Sequence, residues 1–190
     1  MKITFQLFFM SLVVVFLSAC GSNYEGEFSF EVQEFEFMNQ EGQMFSSNEL
    51  EDKFWVANMI FTNCDTVCPP MTANMVRLQD KFQEEDLDVE LVSFSVDPQN
   101  DTPEVLKQYS EERGADFDNW NLLTGYELQV IKEFAIKSFK APVEKLDDSN
   151  QMLHTNRFYL VSPDGNAIKR YDGTKADEMD QIVEDIKQMR

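Results

Sequence analysis

The amino-acid sequence predicts an α/β fold: a central mixed sheet flanked by helices, with an extra N-terminal β-hairpin. Three observations carry this expectation. Residues 54–61 (FWVANMIF) form a near-continuous apolar run of strand length, as in a strand buried on both faces. A helix-period segment and then an alternating segment follow it, a strand–helix–strand order that packs as a right-handed parallel crossover. Near the C-terminus, Pro163-Asp164-Gly165 separates two β-patterned runs and signals a hairpin.

Phe28, Phe30 and Val32 alternate with polar residues, and Phe35 and Phe37 resume the alternation after a one-residue slip. This stretch reads as a strand pair, or as one strand with a bulge. Glu41-Gly42 marks a turn. After the 54–61 strand, Pro69-Pro70 opens a helix with Met71, Met75, Leu78 and Phe82 on one face; proline is tolerated there because its missing N–H has no intrahelical partner to lose. Asp88 to Val96 alternates as a strand. Thr102 is a good N-cap with Pro103 at the first helical position. Trp120 to Leu123 reads as a short strand, and Thr124 with Glu127 as a capping box for a helix carrying Leu128, Ile131, Phe134 and Ala135. Residues 139–153 look irregular. Arg157 to Val161 and Ala167 to Tyr171 form the terminal hairpin, and Thr174 starts an amphipathic helix with Met179, Ile182, Val183 and Ile186.

The chain has 190 residues, 43% of them hydrophobic, and 35 acidic against 16 basic side chains give a formal charge of −19. That is a globular composition. The acid excess argues against nucleic acid as a partner, because the global field repels phosphates. Three cysteines are too few for a disulfide-built scaffold.

Lys2 precedes an apolar run from Ile3 to Leu17, shorter than the ~20 residues needed to span a bilayer. With Leu17-Ser18-Ala19-Cys20 at its end, this reads as a cleavable export signal over residues 1–19. The ending resembles the lipobox of bacterial lipoproteins. That resemblance implies a lipid anchor on Cys20, a lipidated tether over 20–27, and a folded domain over 28–190. The domain is then expected at the cell membrane, held by acyl chains on its outer face, where oxidised cysteines are permitted.

Cys64-Asp65-Thr66-Val67-Cys68-Pro69 lies where the buried strand gives way to a helix, the sheet edge at which open α/β folds bind ligands. The helix N-terminus favours thiolate over thiol, and Asp65 opposes it. Pro69 biases Cys68 away from helical backbone angles, so the segment is expected to be a loop. Redox catalysts of the thioredoxin type use Cys-x-x-Cys. Here three residues intervene, a wider bite that suits a soft metal ion and still permits a disulfide. His154, the single histidine, precedes strand 157–161. If that strand runs antiparallel to the one ending before Cys64, its start falls on the same sheet edge, and Cys64, Cys68 and His154 converge. Asp97 to Thr102 emerges at this edge too and reads as a turn and helix N-cap. The ten methionines mostly fall in the signal or on apolar helix faces, as core packing requires.

Together, Phe61-Thr62-Asn63-Cys64-Asp65-Thr66-Val67-Cys68-Pro69, the stretch Val96-Asp97-Pro98 through Asp101-Thr102-Pro103, and His154 before Phe158 resemble the Sco/SenC family over about residues 28–190. The exported lipoprotein form is similar to the Sco proteins of Gram-positive bacteria. The resemblance implies a thioredoxin-like fold and one copper ion, Cu(I) or Cu(II), held by Cys64, Cys68 and His154. It also implies a role in building the dinuclear copper centre of cytochrome c oxidase subunit II. Asp97 falls on a motif position and is expected beside the ligands rather than among them.

Two thiolates and an imidazole favour copper or zinc over magnesium or calcium. Structural zinc normally takes four protein ligands, whereas ligand count alone leaves a catalytic zinc site open. The main rival function is a thiol–disulfide oxidoreductase that reduces the cysteines of the target's copper site. Against it, Asn156 stands where thioredoxin-like enzymes carry a cis-proline, aligned backward from the terminal hairpin. A peroxidase is a third option, since a thiolate at a helix N-terminus can attack peroxide, but this sequence lacks the proline- and threonine-containing lead-in expected of a peroxiredoxin nucleophile.

Overall fold

A computed structural model describes residues 24–64, 67–146, 149 and 151–190. The expected export signal, Cys20 and the first part of the tether lie outside the described residues. No helix among the described residues is long and apolar enough to cross a membrane.

The strands are β1 (Phe30–Glu31), β2 (Glu36–Met38), β3 (Met44–Ser46), β4 (Phe54–Ile60), β5 (Val89–Ser95), β6 (Trp120–Leu123), β7 (Glu144–Lys145), β8 (Met152–Leu153), β9 (Arg157–Val161) and β10 (Asn166–Asp172). The helices are α1 (Cys68–Glu84), α2 (Pro103–Glu111), α3 (Leu128–Phe139) and α4 (Asp177–Met189). Six strands form the central sheet in the order β1-β10-β9-β4-β5-β6. β4 pairs with β5, and β5 with β6, in parallel, while β9 lies antiparallel to β4 with Ala57 opposite Tyr159. The mixed thioredoxin-like sheet is therefore as expected.

Every residue of β4 is buried, which explains its unbroken apolar run. Successive side chains point to opposite faces. Trp55, Ala57 and Met59 join Phe35, Phe94, Phe134 and Phe139 in the core beneath α3. Phe54, Val56 and Ile60 meet Met71, Met75 and Leu78 of α1 and Met179, Ile182 and Ile186 of α4 on the other face. The methionines at helical spacing are core residues, as expected.

The N-terminal hairpin is made by different strands from those anticipated. Phe30–Glu31 does not pair with the next alternating segment; it adds antiparallel to β10 at the edge of the main sheet. The hairpin joins β2 to β3 across the Glu41-Gly42 turn, where Gly42 takes φ 72°. Its turn also closes the far edge of the main sheet. Met38 and Thr124 exchange backbone hydrogen bonds. Gln40, buried at 4% exposure, donates from Nε2 to the Trp120 carbonyl and accepts the Leu122 N–H at 2.8 Å. One side-chain amide thus stands in for a neighbouring strand along β6.

Three local expectations differ. Residues 139–153 contain the short β7–β8 hairpin. The capping box at Thr124 does not form: Glu127 is the N-cap of α3 without a side-chain cap bond, because Thr124 is engaged by Met38 and donates its hydroxyl to the Asp101 carbonyl. Thr174 does not begin α4, which starts at Asp177; its hydroxyl donates to Asp172 instead.

Candidate metal centre

β4 delivers the chain to the C-terminal edge of the sheet, where Phe61 to Cys64 forms a turn closed by the Cys64 N–H on the Phe61 carbonyl at 3.3 Å. Cys68 is the first residue of α1 rather than part of a loop. Pro69 and Pro70 occupy the helix's opening turn, where they forfeit no intrahelical bond, and the Cys68 N–H donates to Cys64 Sγ at 3.3 Å. The bias that proline imposes on its predecessor is outweighed by these constraints. Asp65 and Thr66 lie outside the described residues.

His154 arrives from the far side. It follows β8 and precedes β9, whose start shares the sheet edge with the end of β4, as the antiparallel pairing requires. Its Nε2 stands 3.6 Å from Cys68 Sγ. Its Nδ1 lies 2.9 Å from the Thr155 carbonyl oxygen, which only accepts, so the ring proton sits on Nδ1 and the Nε2 lone pair faces the sulfurs. The ring packs at 84° to the Phe61 ring with centroids 5.5 Å apart, which restricts its swivel. One ligand-type atom from each of Cys64, Cys68 and His154 lies within 4.8 Å of the others.

Burial sets the protonation of this site. It pushes the Cys68 thiol far above its ordinary value, aided by the hydrogen bond to Cys64, with a backbone hydrogen bond from Phe61 opposing. It pushes the His154 imidazole down, with the Thr155 carbonyl opposing. Both shifts favour the neutral form. A metal ion entering here must displace thiol protons. Cys64 and Cys68 are 4% and 0% exposed, so the site is a covered cluster rather than a wide cleft. A cavity of about 360 Å³ lined by Leu50, Asp52, Trp55 and Asp164 sits instead at the opposite end of β4.

Asp97 is buried near this edge, but its carboxylate accepts from Asn100 Nδ2 at 2.8 Å and takes no place in the cluster. The residue that reaches the cysteine turn is Asp101. Its carboxylate accepts the Thr62 hydroxyl at 2.6 Å, the Thr62 N–H at 3.2 Å and the Ser95 hydroxyl at 2.5 Å. Read as a helix cap, Asp101 is superfluous, because Thr102 already caps α2 by accepting the Val105 N–H. That redundancy was the available signal. On the α1 side, Thr72 donates to the Cys68 carbonyl at 2.9 Å and shares a 3.0 Å bond with the Tyr109 hydroxyl.

A thioredoxin-like domain that gathers a Cys-x3-Cys pair and one distant histidine at the C-terminal edge of its sheet defines a class of thiol–imidazole proteins. The chain belongs to the SCO1/SenC family, whose model matches residues 25–190. It is similar to the crystal structure of a SCO1/SenC family lipoprotein from Bacillus anthracis, with a TM-score of 0.81 and 44% identity over 84% of this chain and 95% of that one. BsSco, described as a member of the Sco family of cytochrome c oxidase assembly proteins and as having a disulfide switch, superposes with a TM-score of 0.79 and 46% identity, covering 87% and 97% of the two chains. Arabidopsis thaliana ScoI, solved with copper bound, superposes with a TM-score of 0.71 and 28% identity over 82% and 98%.

Proposed function

We propose that this chain is a copper metallochaperone that takes one ion on Cys64, Cys68 and His154 and serves assembly of the dinuclear copper centre of cytochrome c oxidase subunit II. The observation that carries this reading is the meeting of two sulfurs and an imidazole nitrogen, with the lone pair already turned toward the sulfurs. Such a donor set is soft and suits copper. Three protein ligands leave a position for an incoming thiolate, through which the cargo passes by stepwise ligand exchange. The copper held by Arabidopsis ScoI and the oxidase role of BsSco support the assignment. The anchor belongs to the same proposal: lipid on Cys20 holds the domain on the outer face of the cell membrane, in keeping with the Bacillus anthracis relative's description as a lipoprotein.

Titration of the reduced protein with Cu(I) and Cu(II) tests the ligand set. Cys64→Ala, Cys68→Ala and His154→Ala each weaken binding sharply; unchanged affinity in all three refutes it. In cells, loss of the chain lowers copper occupancy of subunit II, and added copper restores it.

The second reading, a reductase of the copper-site cysteines, is favoured by the closeness of the two sulfurs. Burial pushes the Cys68 thiol up, which works against Cys68 as the attacking thiolate. Rapid turnover of a disulfide substrate by copper-free protein would support the reductase over the chaperone.

A further inference from the structure

Asp101 is the most deeply buried carboxylate among the described residues, at 0% exposure. A buried charge is costly unless hydrogen bonds compensate it. Its donors are the Thr62 N–H and hydroxyl and the Ser95 hydroxyl, so the group joins the end of β4 to the end of β5. Asp101 is itself held from behind: its N–H donates to the Asp97 carbonyl at 2.9 Å, and its carbonyl accepts the Thr124 hydroxyl at 2.6 Å. The rigid partner in the contact is therefore Asp101, and the held partner is Thr62.

Thr62 is the second residue of the turn that ends at Cys64. The turn's own bond and the Cys68 N–H donation to Cys64 Sγ at 3.3 Å hold the Cys64 end of this arm, and the Asp101 grip and the donation of Gln151 Nε2 to the Asn63 carbonyl at 3.2 Å hold the residues before it. Gln151 is half-buried and comes from just before β8, whereas Asp101 is fully buried between β5 and α2. We infer that Asp101 is a positioning residue. By clamping Thr62, it fixes where the Cys64 sulfur stands relative to Cys68 and His154, for metal capture and for disulfide closure alike. The first half of this inference rests on the copper reading, while the second does not.

The test uses the full chain with Thr62→Val, Thr62→Ser, Asp101→Asn and Asp101→Ala. Two quantities are measured: Cu(I) affinity against a chromogenic chelator, and the thiol–disulfide equilibrium of the metal-free protein in glutathione buffers. Partners that orient a metal ligand are typically worth about 10–100-fold in affinity. Thr62→Val, isosteric but without its hydroxyl donor, weakens Cu(I) binding by roughly tenfold and Asp101→Ala by up to about a hundredfold on that basis. Both shift the disulfide equilibrium. Thr62→Ser keeps the hydroxyl and stays near wild type, and Asp101→Asn, which keeps one acceptor oxygen, falls between. The Thr62→Val/Asp101→Ala double variant is no weaker than Asp101→Ala alone, because the two act as a unit. A merely structural role would lower the melting temperature and leave both readouts of the folded protein unmoved. Wild-type behaviour of Thr62→Val in both readouts overturns the inference, and that variant decides the matter if Asp101→Ala does not fold. Should Cys64→Ala, Cys68→Ala and His154→Ala all retain full Cu(I) affinity, the copper reading fails by itself and the disulfide equilibrium still decides the positioning role.

Discussion

Replacing Gln40 with alanine removes two hydrogen bonds from the edge of the main sheet. The Leu122 N–H loses its 2.8 Å acceptor and the Trp120 carbonyl its 3.3 Å donor. Leaving a buried polar group without its partner costs about 1–3 kcal/mol. The opened edge admits some water, so the two together cost roughly 2–4 kcal/mol on the same scale. For a domain of this size each kcal/mol lowers the melting temperature by about 2–4 °C, giving a fall of roughly 5–15 °C. The bared β6 edge also becomes a template for pairing with another chain, so the variant oligomerises more readily. Thermal unfolding by circular dichroism with size-exclusion chromatography reads both effects. The comparison is Glu41→Ala next door, which loses only an exposed ion pair to Lys107 at 2.9 Å, a contact that solvent screens. If Gln40→Ala melts no lower than Glu41→Ala and stays equally monodisperse, the reasoning fails.

Phe134 packs against Phe35, Phe94 and Phe139 with ring centroids 4.9–5.9 Å apart, so Phe134→Ala destabilises by about 3–5 kcal/mol in denaturant titrations; a loss under ~1 kcal/mol would contradict the core assignment. Burial raises the Asp101 pKa above its ordinary 3.8 despite its hydroxyl donors. The folded state therefore holds this proton more tightly than the unfolded chain, and the contribution of Asp101 to stability grows as pH falls toward 3.8 and shrinks as pH rises through the folded value. Wild type minus Asp101→Asn, followed by denaturant melts between pH 4 and 7, moves in favour of wild type on acidification; the opposite slope would show that the carboxylate is stabilised as its anion. Oxidising Cys64 and Cys68 to a disulfide abolishes copper binding, and reduction restores it. Retained binding after complete oxidation, verified by thiol counting, would take the sulfurs out of the site.

What the sequence made legible followed from periodicity and topology. The unbroken apolar run of β4, the helix pattern of α1 and the terminal hairpin place the cysteines and His154 at one edge, because antiparallel β9 must begin where β4 ends. The N-terminal region was less legible. The alternation of Phe28, Phe30 and Val32 says that one face is covered, not which strand lies alongside, and three-residue β2 and β3 are too short to show a period. The capping box at Thr124 matched in spacing, but tertiary partners claimed the threonine first. The grip of Asp101 on the cysteine turn was illegible because its partner Thr62 lies 39 residues away; locally only its redundancy beside the Thr102 cap points to another role.

Tyr24 sets its ring 5.1 Å from that of Phe54, the residue that begins β4, whereas the cysteine turn lies beyond the strand's other end. Seven strand residues at about 3.3 Å each put roughly 20 Å of rigid sheet between the two. The first described residues are therefore fastened at one pole of the sheet, while the sulfurs and the imidazole gather at the other.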